Sequence, residues 1–348
     1  MTDIAEQIRA IAAERILVFD GAWGTAIQGY ELSEDDYRGD REFRLDQKGN
    51  NDLLCLTQPH IVEEISTAYL EAGADIISTN TFSGTTISQA DYGDEALVHE
   101  LNVAAAKLAR HAADTIATPE KPRFVAGSIG PTNKTLSLSP DVNDPGFREV
   151  DFDEMKSVYA EQIDGLIDGG VDMLLVETIF DTLNAKAAIM AAHESAERHG
   201  TTLPLILSMT ITDMSGRNLS GHSIEAFWAS VRHSNPLAIG LNCSFGAHRL
   251  RPHMQAISEM ADTLVIGYPN AGLPNELGEY DECAEKTREK LSEWVELGIV
   301  NIVGGCCGTT PEHIRAIAEL ADGQPPRAIP EGISQTFLAG LEPMTLAA

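Results

Sequence analysis

IVNIVGGCCGTTPEHIRAIAEL (299–320) contains the repeating unit that decides the fold. Residues 299–308 form an apolar run that closes on GGCCG, and residues 309–320 carry apolar side chains at helical spacing. A continuous apolar run suits a strand that is buried on both faces, as in a parallel sheet. Thr310 can cap the following helix, and Pro311 suits its first turn. The stretch therefore predicts one strand followed by one helix.

The same unit recurs along the chain. Eight strand-like runs are present, at 16–22, 74–81, 123–130, 171–178, 203–212, 236–244, 264–270 and 299–308. Amphipathic segments between them predict helices at 60–74, 153–170 and 284–298. Eight strand–helix units predict an α/β fold, a (β/α)8 TIM barrel. A doubly wound open sheet is the alternative, but it leaves the eighth strand unexplained, and the first strand is followed by DGAWGT rather than G-x-G-x-x-G.

Two kinds of segment lie outside these units. Residues 31–56 and 131–150 are polar and rich in Gly, Pro and Asp, which predicts long loops over the site. Residues 323–348 are Pro- and Gly-rich and then apolar, which predicts a tail or linker. The predicted domain organisation is a barrel over 1–322 and a tail over 323–348.

Charge and hydropathy exclude several classes of protein. The 348 residues include 24 Lys+Arg and 53 Asp+Glu, for a formal net charge of −29. Such a surface repels phosphate backbones and argues against nucleic-acid binding; it favours solubility, with an acidic docking face as the alternative. No apolar run is long enough to span a membrane, and MTDIAEQIRAIAAER (1–15) lacks the apolar centre of a secretion signal. The sequence therefore predicts a cytoplasmic protein.

Three of the five cysteines fall at the ends of predicted strands. Cys243 closes the sixth run, and Cys306 and Cys307 close the eighth. Active sites of (β/α)8 barrels lie at the carboxyl ends of the strands, so these thiols are expected to converge. Three thiolates suit Zn²⁺ and leave one coordination position open, as in catalytic sites. The alternative is two buried apolar cysteines beside a phosphate-binding Gly-Gly pair; Cys55 and Cys283 lie off the strand ends and are expected to be structural.

The ligand type also indicates the chemistry. A zinc ion with three thiolates has a formal charge of −1, and a substrate thiol in the fourth position loses its proton. The bound sulfur then stays electron-rich. A histidine-rich zinc site would instead favour the activation of water. The cysteine set therefore predicts a thiol nucleophile.

Polar side chains at other strand ends are candidate substrate ligands. Asp20 and Glu177 could hold the ammonium group of an amino acid, although helix capping or an Asp-Gly turn is an equal alternative. Backbone N–H groups could bind a carboxylate as a nest. The N–H groups of this predicted nest lie around Gly21, Gly24 and Thr25. Further predicted lining residues are Asn80, Ser128 and Asn242.

Together these segments resemble the homocysteine S-methyltransferase family, and most closely the N-terminal homocysteine-binding domain of cobalamin-dependent methionine synthase. The matching motifs span most of the chain: FDGAWGT (19–25), GADIISTNTF (73–82), AGSIGPT (126–132), VDMLLVETIFDTLNAKAA (171–188), GLNCSFG (240–246), YPNAGLPN (268–275) and GGCCGTTPEHI (304–314). The resemblance implies a (β/α)8 barrel, zinc on Cys243, Cys306 and Cys307, and homocysteine held through Asp20 and Glu177. Trp23 departs from the family, which usually has Met or Gly there, and this puts the pocket shape in doubt.

The resemblance also implies a reaction and a partner. FLAGLEPMTL (337–346) resembles the linker into the folate-binding domain of methionine synthase, so we expect a split-enzyme subunit or a fragment. The expected reaction is zinc-dependent methyl transfer to homocysteine, giving methionine, from methylcobalamin on a separate folate/cobalamin-binding methionine synthase protein. Alternative donors are S-methylmethionine, S-adenosylmethionine and betaine. An alternative of another class is a homocysteine-binding subunit without independent turnover.

Overall fold

The computed structural model describes residues 3–332 and 336–346. Eight strands form one parallel sheet, and two more form an antiparallel hairpin near the C-terminus. The strands are β1 Leu17–Val18, β2 Ile76–Ser78, β3 Phe124–Ile129, β4 Met173–Ile179, β5 Leu205–Met209, β6 Ala238–Gly246, β7 Leu264–Asn270, β8 Ile302–Val303, β9 Thr336–Ala339 and β10 Pro343–Leu346.

The parallel sheet closes into a barrel. Its strand order is β1-β8-β7-β6-β5-β4-β3-β2, and β1 meets β2 through a parallel bridge between Phe19 and Ile76. This confirms the predicted (β/α)8 barrel and excludes the open sheet. The first and the eighth predicted strands were too long. Strand β1 is Leu17–Val18 and β8 is Ile302–Val303, and residues 304–308 lie outside β8.

Thirteen α-helices are present in the described part of the chain, and the predicted ones are confirmed within two residues. Thr310 precedes the last of them and its backbone N–H donates to Nδ1 of His313, so the predicted cap position is correct. The helices are α1 Ile4–Glu14, α2 Trp23–Gln28, α3 Glu34–Arg38, α4 Leu54–Thr57, α5 Pro59–Ala72, α6 Thr86–Gln89, α7 Val98–Ile116, α8 Phe152–Gly169, α9 Thr182–His199, α10 Ile224–Val231, α11 Ala247–Met260, α12 Ala284–Glu296 and α13 Pro311–Ala321.

The core has two layers that leave one end of the barrel open. The larger layer lies between the strands and the surrounding helices, and the smaller layer fills the barrel interior. Ile8 and Ala12 of α1 belong to the interior layer, so α1 closes the amino end of the barrel. The open end is therefore the carboxyl end of the strands.

Of the two predicted loop segments, 131–150 is confirmed as free of helix and strand and 31–56 is not. Residues 31–56 include α3, a 3₁₀ helix at Asn51–Leu53 and most of α4, and residues 49–52 line the central cavity. Residues 131–150 have no helix or strand, and none of them lines the cavity. They lie instead against the start of α9, where Leu136 N–H donates to Asn184 and Ser137 to Asp181. Their predicted place over the site stays a prediction.

The predicted tail contains the β9–β10 hairpin, which packs against α10. Arg217 of the β5–α10 connection pairs with Glu342 in the hairpin turn. A role for this segment as a linker stays a prediction. None of the helices in residues 3–332 is long and apolar enough to cross a membrane. The predicted cytoplasmic location is untested by that finding.

Candidate active site

A cavity of about 460 Å³ lies at the carboxyl ends of the barrel strands. Most of the residues predicted as a site line it: Asp20, Gly21, Gly24, Thr25, Asn80, Ser128, Glu177, Cys243, Cys306 and Cys307. Asn242 is fully buried behind the wall. With Tyr268 of β7, which also lines the cavity, every barrel strand except β5 contributes a residue from its carboxyl end or from the segment that follows.

Three cysteines form a compact cluster in this cavity. The Sγ atoms of Cys243 and Cys307 are 3.8 Å apart, those of Cys306 and Cys307 are 4.0 Å apart, and all three lie within 4.8 Å of one another. Two thiolates on a tetrahedral metal with bonds of about 2.3 Å are separated by about 3.8 Å. The cluster therefore has the spacing that a three-sulfur metal site requires.

An irregularity in β6 directs Cys243 into the cluster. The pairing of β6 with β7 shifts register between Asn242 and Gly246. Cys243 and Ser244 have φ angles of 60° and 66°, in the left-handed region that side chains rarely adopt. Bulges next to active sites re-aim side chains, and such strained residues persist only where the surrounding structure holds them. A strained backbone of this kind is typical of functional positions.

The glycines before Cys306 serve packing rather than anion binding. The N–H of Gly304 donates to the carbonyl oxygen of Gly267 (3.1 Å), and the N–H of Gly305 donates to that of Asp20 (3.1 Å). With both N–H groups satisfied by neighbouring strands, the Gly-Gly pair has no donor left for a phosphate. A Cβ on Gly305 would lie 2.4 Å from the Thr309 side chain, so only glycine fits. The phosphate-site alternative is therefore rejected.

The three thiols change one another's pKa values. Hydrogen bonds from Cys243 and Cys306 lower the pKa of Cys307 well below its usual value. Hydrogen bonds with Cys243 and then with Cys307, together with burial, raise the pKa of Cys306 well above the usual value. The cluster thus favours one thiolate held by two thiols. A soft cation that replaces the thiol protons would satisfy all three sulfurs.

Asp20 lines the cavity and has one side-chain oxygen without a hydrogen-bond partner among the described residues. Its Oδ2 atom accepts hydrogen bonds from Ser78 N–H (2.7 Å) and Ser78 Oγ (2.8 Å). Its Oδ1 atom is buried and has no hydrogen-bond partner among the described residues. Burial raises the pKa of Asp20 to about 8. One fixed and one free oxygen make this carboxyl group ready to accept a donor from a ligand.

Glu177 is the second buried carboxyl group. Ser128 Oγ donates to its Oε1 atom (2.5 Å), and the Tyr268 hydroxyl donates to its Oε2 atom (3.2 Å). Burial raises the pKa of Glu177 to about 7. Both of its protein partners are neutral, so the carboxylate charge is oriented but not neutralised. Sequence reasoning missed Tyr268, whose position in an apolar run gave no signal.

No Lys, Arg or His belongs to the cavity wall, within the part of the chain that the structure describes. Three carboxyl groups, those of Asp20, Asp52 and Glu177, and three thiols therefore share a space without a cationic partner. Buried charges in proteins are stable when they are paired. The arrangement favours a cationic group of a ligand beside the carboxylates and a metal ion beside the sulfurs.

The helix-capping alternative for the two carboxyl groups is not supported. Residue Ala22 precedes α2, so Asp20 does not cap it. Asp181 caps α9 through the N–H groups of Leu183 and Asn184, so Glu177 does not cap that helix.

The predicted glycine-rich nest lies at the first turn of α2, which begins at Trp23. The first N–H groups of a helix have no acceptor within the helix. Gly21 packs against Tyr69, where a Cβ would lie 2.6 Å from the ring. Gly24 has open space where its side chain would be, and Thr25 Oγ1 accepts from Gly308 N–H (3.3 Å). Trp23 lies in the cavity wall, and its ring N–H donates to Ser78 Oγ (3.0 Å).

Asn80 and Asn242 have structural partners. Asn80 Nδ2 donates to the carbonyl oxygen of Asn51 (2.8 Å) and so ties the 49–52 segment to β2. Asn242 Oδ1 accepts from the backbone N–H of Thr178 (3.0 Å) and from Ser208 Oγ (2.6 Å). Its Nδ2 atom donates to Thr178 Oγ1 (2.9 Å). Asn242 thus joins the ends of β4, β5 and β6, and it lies between Thr178, with φ 55°, and Cys243.

Cys55 and Cys283 lie away from the cluster. Cys55 is buried beside Asn80 and Cys283 is exposed before α12. Neither belongs to the group that could hold a metal.

The family model for homocysteine S-methyltransferase matches residues 17–321 of this chain. Similar solved structures include homocysteine methyltransferase MmuM from Escherichia coli in its metallated form, at 21% identity and TM-score 0.69, covering 89% of this chain and 98% of that chain. The oxidized form of MmuM is 22% identical with a TM-score of 0.70, and the match covers 90% of this chain and 98% of that chain. The amine oxidase HisD from Pseudomonas geniculata is 11% identical with a TM-score of 0.53, and the match covers 89% of this chain and 48% of that chain. At these identities the structural likeness shows the fold alone.

Proposed function

This chain belongs to the homocysteine S-methyltransferase family, and from that premise we propose that it transfers a methyl group to the thiol of homocysteine at a zinc ion held by Cys243, Cys306 and Cys307. The product of this reaction is methionine. One observation carries the proposal. A single cavity contains three thiols at metal-ligand spacing and three carboxyl groups, among them Asp20 and Glu177, without a cationic side chain in its wall.

The donor set supports zinc as the metal. Sulfur ligands at these separations suit a tetrahedral, borderline-soft ion, and three protein ligands leave one position for a substrate. Zinc bound there would lower the pKa of a substrate thiol and make it available as a thiolate nucleophile. Cys243, Cys306 and Cys307 act by holding the ion in one place, which the strained φ of Cys243 and the tightly packed Gly305 make possible.

Asp20 and Glu177 are proposed to bind the ammonium group of homocysteine. The free Oδ1 atom of Asp20 and the carboxylate of Glu177 supply negative charge in a buried space. Ser78, Ser128 and Tyr268 fix the orientation of these carboxylates through neutral donors. Charge-assisted hydrogen bonds of this kind are about twice as strong as neutral ones. They would orient the amino acid with its thiol toward the cysteine cluster.

The carboxylate of the substrate is proposed to lie at the first turn of α2. Gly21 permits close packing of that turn, and the N–H groups of Gly24 and Thr25 are the proposed donors. Asn80 and Ser128 complete the wall, and Asn242 positions Thr178 and Cys243 from behind it.

With the substrate so held, the reaction is an in-line displacement. The homocysteine sulfur forms a bond to the methyl carbon while the bond from that carbon to the donor breaks, and the donor keeps the electron pair. The protein contributes proximity and orientation, which can account for about 7–11 kcal/mol of a barrier. No described residue would have to take a proton from the sulfur at this stage, because a thiol bound to zinc would already have released its proton to solvent.

Methylcobalamin on a separate folate/cobalamin-binding methionine synthase protein is the proposed donor. The likeness of the 337–346 segment to the methionine synthase linker and the length of the 31–56 insertion support it. One observation favours a smaller, cationic donor such as S-methylmethionine. Asp52 lines the same cavity, is buried, and has a pKa raised to about 7 by burial. S-adenosylmethionine and betaine are further cationic donors that Asp52 would suit.

A binding subunit without independent turnover is the alternative of another class. Such a subunit would present homocysteine to a partner that supplies all the reactive groups. A rate that appears only on addition of the partner would favour it.

The proposed function is tested by mixing reduced, zinc-loaded protein with homocysteine and free methylcobalamin. Zinc-dependent loss of methylcobalamin absorbance with formation of methionine is expected, and chelator-treated protein is the control. Turnover with S-methylmethionine but not with methylcobalamin would assign the cationic donor instead. No methionine from any of the four donors, in protein that binds zinc and homocysteine, would contradict an independent methyltransferase.

A further inference from the structure

Ser244 follows Cys243 in the irregular part of β6, between Asn242 and Gly246, where the pairing with β7 shifts register. The φ angle of Ser244 is 66°, and that of Cys243 is 60°. Glycine adopts this left-handed region readily and Asn or Asp adopts it at times, whereas serine seldom does. A strained residue of this kind persists only where a contact with the surrounding structure holds it.

The Ser244 side chain makes such a contact. Its hydroxyl donates a hydrogen bond to the carbonyl oxygen of Ile211, two residues beyond the end of β5. The regular pairing of β5 with β6 ends at Met209 and Leu241, so this side-chain bond joins the two segments beyond the end of their ladder. Ser244 does not line the cavity, and it therefore acts on the site through its neighbour Cys243.

Ile211 is a fixed acceptor. It is buried, and the residues on both sides of it are bound to other parts of the chain. The N–H of Thr210 donates to a carbonyl oxygen of β4 (3.0 Å), and the N–H of Thr212 donates to the carbonyl oxygen of Arg217 (2.8 Å). A movement of Ser244 would therefore break its bond to Ile211 rather than carry Ile211 along.

The position of the Cys243 sulfur depends on the same two residues of β6. Its Sγ atom lies 3.8 Å from that of Cys307, which is the separation of two thiolates on one tetrahedral metal ion. A bulge re-aims a side chain because it changes the direction of the Cα–Cβ bond. A return of Cys243 and Ser244 to extended backbone would re-aim that bond again and take the sulfur away from Cys307.

We propose that Ser244 is a positioning residue of the metal site. Its hydrogen bond to Ile211 holds the left-handed Cys243–Ser244 pair and so keeps the Cys243 sulfur at metal-ligand distance from Cys307. The inference rests on the proposed zinc centre. The bond orients the Cys243 ligand before the metal arrives, so the binding of zinc does not first require a rearrangement of β6.

The test compares Ser244→Ala with Ser244→Gly. Both remove the hydroxyl, but alanine keeps the backbone strain, whereas glycine adopts the left-handed region freely. Ser157→Ala is the matched control, because Ser157 is exposed and its hydroxyl also donates to a backbone carbonyl, that of Asp153 (2.8 Å). Zinc affinity is measured by competition with a chromophoric chelator. Each protein is also loaded with Co²⁺, without homocysteine or a methyl donor, and its sulfur-to-cobalt charge-transfer absorption is recorded.

In Ser244→Ala the zinc affinity is expected to fall about 10- to 100-fold, as on loss of other groups that orient metal ligands. The charge-transfer band should lose intensity per bound Co²⁺, because Cys243 is one of the three sulfur ligands. Ser244→Gly should keep more of the affinity and of the intensity, since its backbone favours the conformation that the lost bond held. The Ser157→Ala protein should match the parent protein in both measurements.

An affinity and a spectrum unchanged by Ser244→Ala would overturn the proposal for Ser244 and leave the zinc centre standing. Losses in Ser244→Gly as large as those in Ser244→Ala would also overturn it, because the backbone conformation would then not be what the hydroxyl holds. A parent protein that binds neither ion would overturn both the positioning role and the zinc centre.

Discussion

The Sγ atoms of Cys243 and Cys307 lie 3.8 Å apart, although the residues are 64 positions apart in the chain and their strands are not neighbours. Strand β7 lies between β6 and β8 in the sheet. The contact depends on the register shift in β6 and on the tight turn after β8. The order of β6, β7 and β8 in the sheet, with these two local irregularities, therefore creates the metal-ligand spacing, and no local sequence motif does so.

Replacement of Cys243 with alanine should abolish zinc retention, because two sulfurs cannot complete the site. Metal analysis after gel filtration should give one zinc per chain for the parent protein and almost none for Cys243→Ala. Cys283→Ala is the control, since Cys283 is exposed and outside the cluster. Retention of a full equivalent of zinc by Cys243→Ala would remove this residue from the ligand set.

Glu177→Gln should weaken homocysteine binding and leave zinc content unchanged. The substitution keeps the shape and removes the charge that the ammonium group needs; hydrogen bonds to charged groups contribute about 1.5–3 kcal/mol, or about 10- to 100-fold in affinity. Isothermal titration with homocysteine measures the effect, and Glu289→Gln on the exposed side of α12 is the control. Equal affinity in Glu177→Gln and the parent would exclude the ammonium contact.

The affinity for the amino-acid part of the substrate should rise with pH. The pKa values of Glu177 and Asp20 are raised to about 7 and about 8, so both groups are mostly protonated in mildly acid solution. A cationic ligand needs the ionised forms, hence binding should tighten as pH rises through these values and should release protons. Titration with 2-aminobutyrate, which lacks the thiol, separates this effect from the zinc chemistry. Tighter binding in acid than at about pH 8 would contradict the assignment.

Metal-free protein should become less stable as pH rises, and Asp20 should cause part of that loss. The unfolded state has Asp20 ionised above about pH 4, whereas the folded state keeps it protonated up to about pH 8. The unfolded state binds fewer protons in that window, so the free energy of unfolding falls with rising pH. The free energy of unfolding of Asp20→Asn, measured in urea, should rise relative to that of the parent as pH increases. A stability difference that is independent of pH would contradict the raised pKa.

The sequence was sufficient to predict the barrel and the cysteine cluster. A continuous apolar run such as 171–178 shows that a buried strand is present, so all eight barrel strands were predicted. The run does not show how many of its residues are paired in the sheet. Cys243, Cys306 and Cys307 could be found because a barrel places the ends of all its strands at one rim. The pattern could not give the ends of β1 and β8, where the chain leaves the sheet after two paired residues.

The sequence could not predict contacts that depend on register and bulges. Tyr268 lies in an apolar run, and only the closed barrel shows its hydroxyl on Glu177. Thr178 and Asn242 pair because β4 and β6 are both irregular at those residues. Ser244 lies in the irregular end of β6, and only the folded chain shows its hydroxyl on the Ile211 carbonyl oxygen. The Asp20 and Glu177 alternatives likewise required the structure, since a carboxyl group after a strand can equally cap a helix.

Zinc X-ray absorption spectroscopy, before and after saturation with homocysteine, tests the central claim most directly. The account predicts three sulfur neighbours and one lighter atom in the substrate-free protein, at zinc–sulfur distances of about 2.3 Å. On addition of homocysteine it predicts four sulfur neighbours and no lighter one. An unchanged first shell at saturating homocysteine would contradict the claim that Cys243, Cys306 and Cys307 hold a metal ion that binds the substrate thiol.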